Sequence, residues 1–154
     1  MILLRIESCG KNDFSIFINS NYVNDEVYLI KDELIKFIKE FIFKIKNRLN
    51  LRGFYKIKVY LNNKIGIFLD VNKLDDIDLT NSLDLRILVL NDVDFYFETD
   101  DYDLIENCND KRYKDGHFYC IVDDYFDKVL EKVEFGRFIY GKEVINLLNN
   151  SLIL

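Results

Sequence analysis

The 154-residue chain has no Pro, Ala, Gln or Trp, one His, three Cys and six scattered Gly. Each shortage excludes something. Cys9, Cys108 and Cys120 are odd in number and show no C-x-x-C spacing, which excludes a zinc ribbon and a secreted disulfide framework. A reducing, cytoplasmic compartment is the expectation. No run of about 18 apolar residues occurs, so no transmembrane span is expected. The opening segment Met1–Glu7 is interrupted by Arg5 and Glu7 and lacks the apolar stretch of a signal peptide. The dinucleotide, P-loop, nucleophile-elbow and H-E-x-x-H motifs are all missing. Without a second His, an acyl-transfer triad would need a Lys or carboxylate base, and nothing marks one.

The missing residues, set against abundant Asn, Ile and Lys, look like drift under an AT-rich coding bias. A low-GC bacterium, or a phage or virus of similar composition, fits that bias. Proline's absence is therefore no fold signal, and Asn, Asp and Gly carry the turns.

What is present suits a folded core. The chain is 49% hydrophobic, with 13 Phe and 10 Tyr against a net charge of −6, which excludes disorder. Residues 2–7 and 14–18 read as two strands of a hairpin. Leu34, Ile38, Phe41, Ile45 and Leu49 recur at helical spacing, which predicts an amphipathic helix over residues 32–49. Residues 55–61 and 65–71 alternate with period two and are joined at Asn62-Asn63, a second hairpin. The first half thus reads ββαββ.

Residues 73–84 form an acidic connection between a half spanning 1–72 and a half spanning 85–154. In the second half, 85–90 and 94–98 read as strands, and Asp100-Asp101 as the cap of a short helix. A strand pair flanks the Asp115-Gly116 turn. A helix is expected near 124–135 with Phe126, Val129, Leu130 and Val133 on one face and Gly136 as its cap, followed by a strand at 138–140 and a helix at 143–148. The expected class is α+β: two antiparallel β-rich halves, each sheet packed on amphipathic helices.

Charge is segregated. Residues 31–58 hold nine Lys or Arg against three acids, and residues 69–110 hold thirteen acids against two bases. The bland reading is solvated surface; the functional one is docking of oppositely charged partners. Asp75-Asp76-Ile77-Asp78 and Asp100-Asp101-Tyr102-Asp103 invite a hard cation, but neither supplies the glycine turn of a calcium loop. Helix capping explains the second cluster, and no metal or cofactor is expected. His117 and Cys120 lie three apart on a strand, so their side chains diverge and cannot act as a pair. The basic helix and Lys56, Lys58 and Tyr60 could follow a phosphate backbone, but a pI near 4.8 argues against nucleic acid.

Phe43 falls in the middle of the polar arc of the long helix, between Lys36, Lys39 and Glu40 on one side and Lys46 and Asn47 on the other. A phenyl ring among lysines marks a surface that something covers, either the same chain or a partner.

The stretch Phe95-Tyr96-Phe97-Glu98-Thr99-Asp100-Asp101-Tyr102-Asp103-Leu104-Ile105, followed by Tyr113-Lys114-Asp115-Gly116-His117-Phe118-Tyr119-Cys120-Ile121, Phe126–Phe135 and Tyr140-Gly141-Lys142-Glu143-Val144-Ile145, resembles the C-terminal domain of the MecA adaptor family. The N-terminal element order is similar to that family's substrate-binding half. Glu143 departs from the family pattern, in which Lys leads straight into hydrophobic residues, and the chain has no long acidic linker.

The resemblance implies a non-enzymatic adaptor that holds a client on its N-terminal half and presents acidic and aromatic residues to a Clp-type AAA+ unfoldase. In this reading Phe43, Lys36, Lys39 and Lys46 contact an acidic client, while Asp100, Asp101, Asp103 and Glu106 contact a basic partner surface. The alternative is a phage or mobile-element inhibitor whose acidic block around Asp75, Asp76 and Asp78 mimics nucleic acid. A small hydrolase or transferase built around a carboxylate or His117 is the enzymatic rival.

Overall fold

A computed structural model describes residues 4–10, 12–74, 82–90, 93–131 and 136–154. The chain divides into two compact units, Ile2–Asn91 and Asp92–Leu154.

In the first unit, β1 (Leu4–Ser8) and β2 (Asp13–Asn19) form the expected hairpin. A 3-10 turn at Ser20–Tyr22 leads into α1 (Asp25–Leu29), then α2 (Lys31–Ile45), β3 (Gly53–Asn62), β4 (Gly66–Lys73) and β5 (Leu83–Leu90). The sheet order is β1-β2-β4-β3-β5. Period-two alternation sends Ile16, Ile18, Ile57, Val59, Ile67, Leu69 and Val71 to one face, where Leu34, Ile38, Ile42 and Ile45 of α2 complete an aliphatic core.

α2 has acids in its first turn and Lys44 in its last, the order its dipole favours. It stops at Ile45 rather than at 49. The chain tightens over residues 46–50, and Asn50 adopts φ 54° while the Leu51 amide donates to the Lys46 carbonyl at 2.9 Å. Leu49 still packs on the core from this turn. The centre of the buried stripe is Ile42, with Phe41 half-exposed beside it.

The β3–β4 turn is held by Asn62, whose Oδ1 accepts from the amides of Lys64 at 2.9 Å and Ile65 at 3.2 Å. Gly66 then passes so close to β2 that a Cβ would lie 2.0 Å from the Ile18 carbonyl oxygen, at φ +144°.

β5 pairs with β3, and in parallel: Tyr55 faces Leu85 and Ile57 faces Ile87. Residues 85–90, expected in the second half, therefore belong to the first sheet, and that sheet is not wholly antiparallel. Long-range pairing, invisible to local periodicity, sets this.

The second unit carries an antiparallel sheet of order β10-β7-β8-β6-β9. Its strands are β6 (Tyr96–Thr99), β7 (Arg112–Lys114), β8 (His117–Ile121), β9 (Arg137–Ile139) and β10 (Leu152–Ile153). Its helices are α3 (Tyr102–Ile105), α4 (Asp127–Leu130) and α5 (Lys142–Asn150). The β7–β8 turn places Asp115 and Gly116 at positive φ, as an Asp-Gly hairpin requires.

One face of this sheet supplies Tyr96, Tyr119 and Ile139, against which Val144 and Leu147 of α5 pack. The other face is aromatic: Phe97 lies 5.3 Å from both Phe126 and Phe138, centroid to centroid. Where one long helix was expected near 124–135, a 3-10 turn at Asp124–Phe126 runs into the four-residue α4. Val133 lies outside the described residues, as do the residues Gly136 was expected to cap. The α+β class holds for both units.

Candidate functional site

The outward ridge of α2 carries the first set of expected site residues. Lys36, Lys39 and Phe43 follow one another at helical spacing on the side away from the buried stripe, and all are exposed. Lys46, half-buried just past the helix end, swings its Nζ to 5.0 Å from the Phe43 ring centroid. Phe43 keeps 44% of its surface in solvent. Phe43 is thus an apolar disc with the Lys46 cation over it, on a ridge shared with Lys36, Lys39 and the acid Glu40, an arrangement that can take an apolar side chain with a neighbouring carboxylate.

The acidic set lies around α3. Asp100, Asp101, Asp103 and Glu106 are all exposed, but two are engaged locally. Asp101 caps α3, its Oδ1 accepting from the Asp103 amide at 3.1 Å, and Thr99 Oγ1 accepts from the Asp101 amide at 3.0 Å. Asp100 Oδ1 lies 2.5 Å from His117 Nδ1. Lys111 donates to the Glu106 carbonyl at 2.7 Å and places a cation over the Tyr102 ring at 5.4 Å. Asp103 and Glu106 remain as the outward carboxylates of this edge. Asp75, Asp76 and Asp78 lie outside the described residues.

Sequence reading missed a polar cluster on the α5 side of the second sheet. The register Glu98↔Tyr119 and Glu98↔Arg137 sets three polar side chains side by side on one face. Glu98 accepts from Tyr119 Oη at 2.7 Å and from Arg137 at 3.1 Å, and Arg137 also meets Glu143 at 3.0 Å. Burial works against the Glu98 carboxylate, yet the bonds from Arg137 and Tyr119 outweigh it and hold its pKa below the ordinary value. Burial and the Glu98 bond push the Tyr119 phenol upward.

On the same face Tyr96 Oη donates to Asp110, which accepts from Arg112 Nε at 2.9 Å, and Arg112 reaches Ser151 Oγ at 3.2 Å. Tyr96 is raised by burial and then by Asp110. The signal available in sequence was the alternation of Tyr96 with Glu98 and of His117 with Tyr119; their partners on β9 and α5 carried none.

Cys120 and His117 point to opposite faces of β8, as strand geometry requires. Cys120 and Cys108 are buried and share a thiol hydrogen bond; burial first, and for Cys120 then the Cys108 sulfur, raises both pKa values. Among the described residues, every group with a resolved shift moves away from neutrality, including Tyr28, which burial pushes up to about 12. Among those residues no three His, Cys, Asp or Glu side chains group as a metal site, and no helix is long and apolar enough to cross a membrane.

No family model, curated protein or solved structure matches this chain.

Proposed function

We propose that the protein is a non-enzymatic adaptor or regulator that binds an acidic client protein on the outward ridge of α2. The observation that carries this reading is Phe43: an exposed ring on a helix whose opposite face is fully used in the core, with Lys46 over it and Lys36 and Lys39 on the same ridge. The 44% of the residue left in solvent adds nothing to the isolated fold, whereas buried against a partner it contributes like an interface anchor.

A general acid or base works best with a pKa near the operating pH. Glu98 is shifted down, and Tyr119, Cys108 and Cys120 up, so these four move away from that range. The second unit offers the outward carboxylates of Asp103 and Glu106 for a basic partner. The resemblance in residues 94–148 suggests a Clp-type unfoldase in that role and cytoplasmic action.

A photoreactive benzoylphenylalanine at position 43, introduced in living host cells, tests the client site. Cross-links to one acidic protein, lost when Lys39→Glu is added, are expected. Adducts no different from those of the same probe at exposed Leu29 would contradict the reading.

A further inference from the structure

Four strand edges bound the two sheets among the described residues, and three of them are short. β9 and β10 are three and two residues long. β1 is five residues long, with Arg5 and Glu7 exposed along it. Short or charged edges are how sheets avoid pairing with other chains. β5 is not short: it runs for eight residues, Leu83–Leu90, six of them Leu, Ile or Val, with Asp84 and Arg86 exposed along it. It pairs only with β3, and no other backbone hydrogen bond reaches it among the described residues.

Its side chains also end unfinished. Leu83, Leu85, Ile87 and Val89 lie on the helix side yet stay only half-buried, and Leu88 on the other face is 43% exposed.

The two charges on β5 select a partner. Asp84 and Arg86 have opposite sign, sit two residues apart and share one face. In an antiparallel pairing of β5 with itself, the two-fold axis can pass through any residue. Through Asp84 or Arg86 it sets like charges opposite each other. Through Ile87 it sets Arg86 against Leu88 and Asp84 against Leu90. Through Leu85 it pairs residues 83–87 of the two copies, setting each Asp84 against the second copy's Arg86 and each Leu83 against the second copy's Ile87, which matches charge and hydrophobicity over those five residues.

We propose that the protein forms a two-fold dimer through antiparallel β5–β5 pairing in the register centred on Leu85, joining two five-stranded sheets into one of ten. This surface is separate from the α2 ridge and does not depend on it.

The register makes a charge-swap prediction, read by sedimentation equilibrium on the full chain. The unmodified protein is a concentration-dependent dimer. Asp84→Arg sets two arginines against Arg86, and Arg86→Asp sets two aspartates against Asp84, so each single variant dissociates roughly ten-fold or more readily. The double variant Asp84→Arg/Arg86→Asp recovers the original affinity, and an equimolar mixture of the two single variants forms heterodimers. Circular dichroism melts confirm folding; Arg86→Ala, which removes the attraction without adding repulsion, gives an intermediate loss and replaces any variant that unfolds. A chain still monomeric at about 1 mM, the weak end of specific association, overturns the proposal. So does a dimer indifferent to the charge swaps, or a double variant that stays dissociated.

Discussion

The helix-facing core of the first unit is mostly aliphatic, with Tyr55 among it and Phe17 stacked on Phe68 at 4.7 Å elsewhere in the sheet, whereas the second is built on aromatic rings and satisfied phenols. In the first, α2 lays four Leu or Ile side chains on a row of Ile, Val and Leu from the sheet. In the second, strands are two to five residues long, and the core is carried by Phe97, Phe126 and Phe138 on one face and by Tyr96 and Tyr119 on the other. The difference follows from size. A unit of some sixty residues buries a smaller fraction of its surface, so each buried side chain must be large. Buried phenols then need acceptors, and Glu98 and Asp110 provide them. The larger unit can rely on methyl groups and a long sheet, and it leaves a long apolar edge at β5.

The contrast can be sharpened by substitution. Phe97→Ala removes the ring on which two others rest and should cost about 4 kcal/mol in urea denaturation. Ile38→Ala on α2 should cost about 3 kcal/mol, because aliphatic neighbours close more readily on a smaller void. A larger loss at Ile38 than at Phe97 would break the comparison.

Tyr119→Phe is gentler. It removes one hydrogen bond to a carboxylate that keeps Arg137, and about 1 kcal/mol is expected. Glu98 also sets a pH dependence. Its folded pKa lies below its unfolded one, so the stability it contributes is complete above the unfolded carboxylate pKa and lost as pH falls through the folded value. Thermal melts across the acid range should therefore show a shallower decline for Glu98→Gln than for the unmodified chain. Equal slopes would mean Glu98 gains nothing from its partners.

What was legible in sequence is what repeats locally. The β3–β4 hairpin, the stripe of α2, the Asp-Gly turn and the Asp101 cap each rest on residues within a few positions of one another. α1, with five residues, and β10, with two, are too short to show a period. β5 showed itself as a strand, but its partner β3 lies some thirty residues back and parallel, and no local pattern encodes that choice. The α2 ridge was legible because Phe43 breaks the helical pattern. The Glu98 cluster was not, because Arg137 reaches it only through strand pairing.

The smallest stability effect and the largest functional one should coincide at the α2 ridge. The decisive measurement compares the Phe43→Ser/Lys39→Glu double variant with the unmodified chain, in thermal melting and in quantitative capture of the acidic protein cross-linked at position 43. The account predicts a midpoint within about 2 °C of the original and loss of that protein from the captured fraction. A midpoint several degrees lower, or capture that persists, would contradict it.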